Sequence, residues 1–159
     1  APETCLILNS SVNAYRRLDP HFEAPNQIKV SPIDRGSMIR IPVGNEKTAR
    51  IEIRSVAPDA NPYLTLYTIM QTGAYGGKLP INTDRRDRVR FLPPTIYDAI
   101  RLFKTSDYTT KLMGDTKEKY LFYKQAVADR SPRELGTRIK TPEIIFHHEV
   151  TNQALWNIF

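Results

Sequence analysis

Apolar and polar residues alternate with period two in three short runs near the start of the chain: Gln27-Ile28-Lys29-Val30, Met38-Ile39-Arg40-Ile41-Pro42 and Ala49-Arg50-Ile51-Glu52-Ile53-Arg54. Such alternation predicts half-buried strands, one face in a core and the other open to solvent or ligand. A turn-like connection, Val43-Gly44-Asn45-Glu46-Lys47-Thr48, separates the last two, so residues 38–55 read as an antiparallel pair. Further on, the period changes. Asn61-Pro62 has the form of an N-cap followed by proline at the first helical position. Leu64, Tyr67, Ile69, Met70 and Ala74 then recur at near-helical spacing until Gly73, Gly76 and Gly77 end the segment, which predicts a core helix over 61–77. Beyond a polar stretch, helices are expected at 95–105, 108–113, 115–129 and 142–159, the third opened by Asp115 and Glu118 as a capping box. Pro132 and Gly136 break the last two apart. The expected fold class is α+β: an antiparallel sheet portion backed by a helix and followed by a helical C-terminal region.

The 159 residues fit one domain, and 40% apolar with 25% charged residues are close to globular averages. Cys5 stands alone, which excludes an intrachain disulfide and any multi-cysteine zinc site and makes a reducing, cytoplasmic compartment the expectation. No run approaches the roughly 18 apolar residues of a membrane span. The net charge of +6 raises a nucleic-acid reading, but its densest cluster, Asp84-Arg85-Arg86-Asp87-Arg88-Val89-Arg90, is broken by two acids and lacks interleaved aromatics. A solvated loop is the expectation there, without nucleic acid or membrane as partner.

Six arginines (16, 17, 35, 40, 50 and 54) fall in the first sixty residues, where eight Lys/Arg against seven Asp/Glu leave a net of only +1. Residues two apart on a strand share a face, so Arg50, Glu52 and Arg54 line up opposite Ile51 and Ile53. Two readings fit that row. One is a routine ion-pair row on a solvated sheet. The other is a site for anions and a metal, because guanidinium forks bind carboxylate or phosphate and a glutamate offers a hard oxygen ligand. The chain carries no P-loop and no dinucleotide-binding glycine pattern. His147-His148 falls in a helical pattern that turns adjacent side chains apart, which suits a surface or packing role, and Cys5 beside Leu-Ile-Leu reads as a small buried hydrophobe.

Five blocks then occur in one order: Asn13-Ala14-Tyr15-Arg16-Arg17-Leu18, Phe22-Glu23-Ala24-Pro25, Arg35-Gly36-Ser37-Met38-Ile39-Arg40-Ile41-Pro42, Arg50-Ile51-Glu52-Ile53-Arg54 and Asn61-Pro62-Tyr63-Leu64. This series resembles the C-terminal catalytic region of glutamine synthetase, whose pattern is N-x-Y-K-R-L, E-A-P, R-S-A-x-I-R-I-P, R-x-E-x-R and A-N-P-Y-L. The resemblance implies ATP-dependent ligation of ammonia to glutamate through a γ-glutamyl phosphate, with Mg2+ or Mn2+ and a homo-oligomeric ring. It implies glutamate binding by Arg17 and Arg54, contacts to ATP or the moving phosphoryl group from Arg35, Arg40 and Arg50, a metal ligand in Glu52, and a flap glutamate in Glu23 that shields the intermediate and takes a proton. On this basis Glu23 and Arg35 are the catalytic candidates.

Departures from the pattern are Arg16 in place of lysine, Gly36-Ser37 in place of Ser-Ala, and Arg90-Phe91 before Leu92-Pro93-Pro94, where adenylylated members carry a tyrosine three residues before the turn. The family's Glu-x-Glu strand, its Asn-Gly-Ser-Gly-Met-His segment and its N-terminal β-grasp domain have no counterpart in these residues. Residues 1–159 are therefore expected to be the C-terminal part of a glutamine synthetase catalytic domain, silent on its own. Two alternatives stand beside ammonia ligation: a γ-glutamyl ligase for another amine, and a non-catalytic binding or assembly module of the same fold.

Overall fold

Helices carry the core. The computed structural model describes residues 1–18, 25–78 and 90–129. Helix α1 (Cys5–Leu8) is buried on every side, and α2 (Val12–Arg16) follows behind an N-cap in which Ser11 Oγ accepts from the Ala14 N–H at 3.3 Å. After the three strands come α3 (Pro62–Tyr75), which runs into a 3-10 turn at Gly76–Lys78, then α4 (Ile96–Thr105), α5 (Asp107–Met113) and α6 over 116–129. Leu6, Ile7, Ala99, Phe103, Leu112 and Leu121 lie at the centre of one apolar cluster drawn from α1, α4, α5 and α6.

Polar ties fix how these helices meet. The Phe103 and Tyr120 rings pack with centroids 5.5 Å apart, and the Tyr120 hydroxyl donates to the Leu6 carbonyl at 3.0 Å, so α6 is pinned to α1. Lys117, buried on α6, donates to the Lys104 carbonyl at 2.9 Å, the Ser106 carbonyl at 3.0 Å and Thr110 Oγ1 at 2.8 Å. An ammonium is placed there because the end of α4 leaves carbonyls without intrahelical partners. Gly114, at φ 52, ends α5 in a conformation that a side chain would strain.

The three strands are β1 (Gln27–Ser31), β2 (Ser37–Arg40) and β3 (Glu52–Ile53), in the order β1-β2-β3. The expected antiparallel pair within 38–55 is present, with Ile39 opposite Ile53 and Arg40 opposite Glu52. The sheet is nevertheless mixed, because β1 runs parallel to β2 with Ser31 level with Arg40. Parallel neighbours ordinarily need a long crossover. Here only residues 32–36 intervene, and two stacked side-chain turns reverse the chain. Ser31 Oγ accepts from the Asp34 N–H at 3.0 Å, and Asp34 Oδ1 accepts from the Gly36 N–H at 2.7 Å. A Cβ on Gly36 would meet Gln27 Nε2 at 3.0 Å and Asp34 Oδ1 at 3.2 Å, so a larger residue there would have to displace the ends of those two side chains by a few tenths of an ångström.

Two expectations about burial need correction. Ile51 is 67% exposed, so the apolar face of the third alternating run does not close onto the core. Helix α3 is in place, with Asn61 Oδ1 accepting from the Tyr63 and Leu64 N–H groups at 3.0 and 3.2 Å, but it buries Thr65 and Thr68 while Tyr63 is 83% and Met70 70% exposed. Helical spacing identifies an apolar stripe; it does not supply an element to cover all of it, and among the described residues Leu64 packs against the core while Tyr63, Leu66 and Met70 stay open. The expected helices at 95–105, 108–113 and 115–129 agree with α4, α5 and α6 to within a residue or two. The expectation at 142–159, with His147-His148, and most of the 84–90 cluster lie outside the described residues.

The packing has two measurable consequences. Phe103 is fully buried, so Phe103→Ala is expected to cost about 3–5 kcal/mol in denaturant unfolding. Burial pushes the Cys5 thiol up to about 12, against roughly 8.5 for a free thiol, so it stays protonated at pH 8. Native protein is expected to react slowly with a thiol reagent at that pH and to label at once when unfolded.

Candidate functional site

Arg17, the C-cap residue of α2, is half-buried and turned toward the segment that follows β3. Its Nη1 donates to the Arg54 carbonyl at 3.2 Å and its Nη2 to the Val56 carbonyl at 3.0 Å, while Nε is buried and makes no protein hydrogen bond among the described residues. Burial, and next the nearby Arg54 charge, depress the Arg17 pKa from its usual value. Arg54 in turn donates from Nη1 to the Arg35 carbonyl. Backbone carbonyls thus string together three arginines that are 18 and 19 positions apart in sequence (17 to 35, 35 to 54).

A second group stands on the strands. Arg40 and Glu52 face each other across β2 and β3, with Arg40 Nε 2.7 Å from Glu52 Oε2. Arg50, two residues before Glu52 and therefore on the same side, holds the other oxygen: Nε and Nη2 each lie 2.8 Å from Oε1. Hydrogen bonding from Arg40, with that from Arg50 also contributing, keeps the Glu52 carboxyl below its ordinary pKa, so it is ionised at neutral pH. The side chains are 28%, 25% and 54% exposed for Arg40, Glu52 and Arg50, which leaves the cluster open to a solute.

The strand pattern therefore brings Arg40, Arg50 and Glu52 together, and Arg17, Arg35 and Arg54 form the adjoining chain; Glu23 lies outside the described residues. Each guanidinium offers several N–H donors in a plane, which suits carboxylate and phosphoryl oxygens. A divalent cation is a poorer fit to these residues alone. Glu52 is a single carboxylate with both oxygens engaged by arginines, and no group of three or more His, Cys, Asp or Glu gathers among the described residues. Glu52 can supply one ligand of an oxygen-rich site only if the other donors come from elsewhere.

Sequence reading missed the residue that places this edge. Asn9, the C-cap of α1, is fully buried and donates from Nδ2 to the Ser55 carbonyl at 2.8 Å, and beside it the Ala57 N–H donates to the Leu8 carbonyl at 2.8 Å. The one available signal was an asparagine at the end of an apolar run.

The family model of the glutamine synthetase catalytic domain matches residues 1–135, and the chain belongs to that family. Glutamine synthetase of Staphylococcus aureus strain MRSA252 is 36% identical over 124 aligned residues, covering 69% of this chain and 28% of the relative. The glutamine synthetase of a Staphylococcus epidermidis strain is 34% identical over the same coverage. Two solved structures share the fold: apo GmaS without ligand, at TM-score 0.66 and 24% identity over 86% of this chain, and a GmaS/ADP complex, at TM-score 0.67 and 22% identity over 92%. The chain spans 28% of the length of the curated relatives and 33–36% of the structural ones. Among the described residues no helix is long and apolar enough to cross a membrane.

If Asn9 positions the arginine edge, Asn9→Ala leaves the Ser55 carbonyl unpaired in a buried place. The expected loss is about 1–3 kcal/mol of stability by denaturant unfolding.

Proposed function

We propose that the intact protein ligates ammonia to the side-chain carboxylate of glutamate at the expense of ATP. The observation that carries this reading is the match of residues 1–135 to the glutamine synthetase catalytic domain, together with the linking of Arg17, Arg35 and Arg54 through backbone carbonyls and of Arg40 and Arg50 through Glu52. Glutamate and ATP, the two substrates that meet before ammonia enters, both carry net negative charge. In this reading Arg17 and Arg54 hold the glutamate, and Arg35, Arg40 and Arg50 receive the phosphates. The γ-carboxylate oxygen attacks the terminal phosphorus and ADP leaves, giving the acyl phosphate; ammonia then attacks the acyl carbon and phosphate departs. Guanidinium donors offset the charge spread over the transferring phosphoryl oxygens.

Glu52 would offer one oxygen to Mg2+ or Mn2+, an ion that when bound neutralises phosphate charge. Glu23, ahead of Ala24-Pro25, would cover the acyl phosphate against water and accept a proton from ammonium. The ADP complex among the structural relatives supports a nucleotide site in this fold. We propose further that the intact protein works as a homo-oligomeric ring in the cytoplasm, each site completed by a neighbouring copy. A γ-glutamyl ligase for another amine would use the same phosphate and carboxylate residues and differ in the amine pocket.

The reading is tested by phosphate release from the full-length protein with ammonia, polyamines or ethanolamine as the amine. Ammonia is expected to give the highest turnover, and an absence of ammonia-dependent turnover would overturn the reading. Arg54→Lys keeps the charge but loses the fork, so kcat/KM is expected to fall by the equivalent of roughly 2–4 kcal/mol with little change in Tm. Normal turnover with a lowered Tm would instead return Arg54 to a purely structural role.

A further inference from the structure

We propose that Glu52 is an internal competitor for the anion site: its carboxylate occupies Arg40 and Arg50 until a polyphosphate displaces it. The inference rests on the reading of Arg40 and Arg50 as phosphate-binding and adds a resident carboxylate that must yield first. Three observations support it. Both carboxylate oxygens are engaged, Oε2 by Arg40 Nε at 2.7 Å and Oε1 by Arg50 Nε and Nη2 at 2.8 Å, so the N–H groups best placed for a phosphate are already spent on a charge of the same sign. The backbone enforces this, because Arg40 is the cross-strand partner of Glu52 while Arg50 approaches along the strand from the other side. The cluster is also open enough for exchange, with Arg50 54% exposed.

Partner exchange changes the local charge in a useful way. Two arginines closed on one glutamate carry a net of +1. Once the carboxylate swings out, the arginines present two positive charges to the incoming anion, and Glu52 becomes an oxygen donor with no partner among them. A single phosphate group must then pay for breaking the fork, whereas a polyphosphate with several oxygens can engage both guanidiniums and more readily make good the loss. The device therefore favours polyphosphate chains over free inorganic phosphate.

The test uses the full-length protein with inorganic tripolyphosphate as the probe, in chelator and at fixed ionic strength, followed by titration calorimetry. Glu52→Gln is expected to bind tripolyphosphate roughly twofold to fivefold more tightly than wild type, the scale of one half-exposed ion pair removed from competition. If wild type binds, Arg40→Gln weakens that binding, and Glu52→Gln leaves it unchanged or weaker, the competition is overturned while the anion site stands. If neither wild type nor Glu52→Gln binds, the anion site and the inference built on it both fail. A structure of wild-type protein with tripolyphosphate keeps the test decisive should Glu52→Gln not fold, and it separates exchange from a mere change in overall charge. Arg40 Nε and Arg50 Nε are expected to have left Glu52 for phosphate oxygens; a fork still closed in the complex overturns the proposal.

Discussion

The arginine-bearing edge depends on how residues 54–57 are stitched to the first two helices. Asn9 binds the Ser55 carbonyl, the Leu8 carbonyl receives the Ala57 N–H, and Arg17 holds the Arg54 and Val56 carbonyls. These contacts join stretches some forty residues apart, so they are made at a large loop-closure cost and hold only because α1 is locked inside the apolar cluster. Buried backbone groups that leave a strand must find partners, and here they find them on α1 and α2. The end of β3 is thereby fixed in register, and with it the direction of Arg54.

From that anchor the sheet follows. Strand β3 contributes only Glu52 and Ile53, yet it pairs with β2 in the register that sets Arg40 beside Glu52. The Ser31 and Asp34 turns then bring β1 back parallel to β2 and leave Arg35 at the tip, where its carbonyl meets Arg54. Crowding so many guanidiniums is unfavourable unless anions share the space. Glu52 supplies one from within, and backbone carbonyl dipoles supply much of the rest, an arrangement that keeps the cations ordered.

Helix α3 carries its apolar stripe differently from the core helices. Tyr63, Leu66 and Met70 project from a helix whose buried positions are the threonines Thr65 and Thr68. Apolar residues at helical spacing thus stay exposed where the apolar pattern alone predicts burial, because amphipathic spacing does not determine which face is covered.

Much of this was legible in the sequence because it is local. Period-two alternation marked the 38–55 pair, Asn61-Pro62 marked the start of α3, and five ordered blocks marked the family, since each is a property of neighbouring residues. What only the tertiary structure decided is non-local: that β1 runs parallel to β2 through five residues of turn, that Cys5-Leu6-Ile7-Leu8 is a buried helix, that Ile51 faces out, and that Asn9 binds the Ser55 carbonyl beside Arg54. Local pattern records which faces a segment could bury. Which face is buried, and against what, is settled by partners far away in sequence, and no periodicity within a segment carries that information.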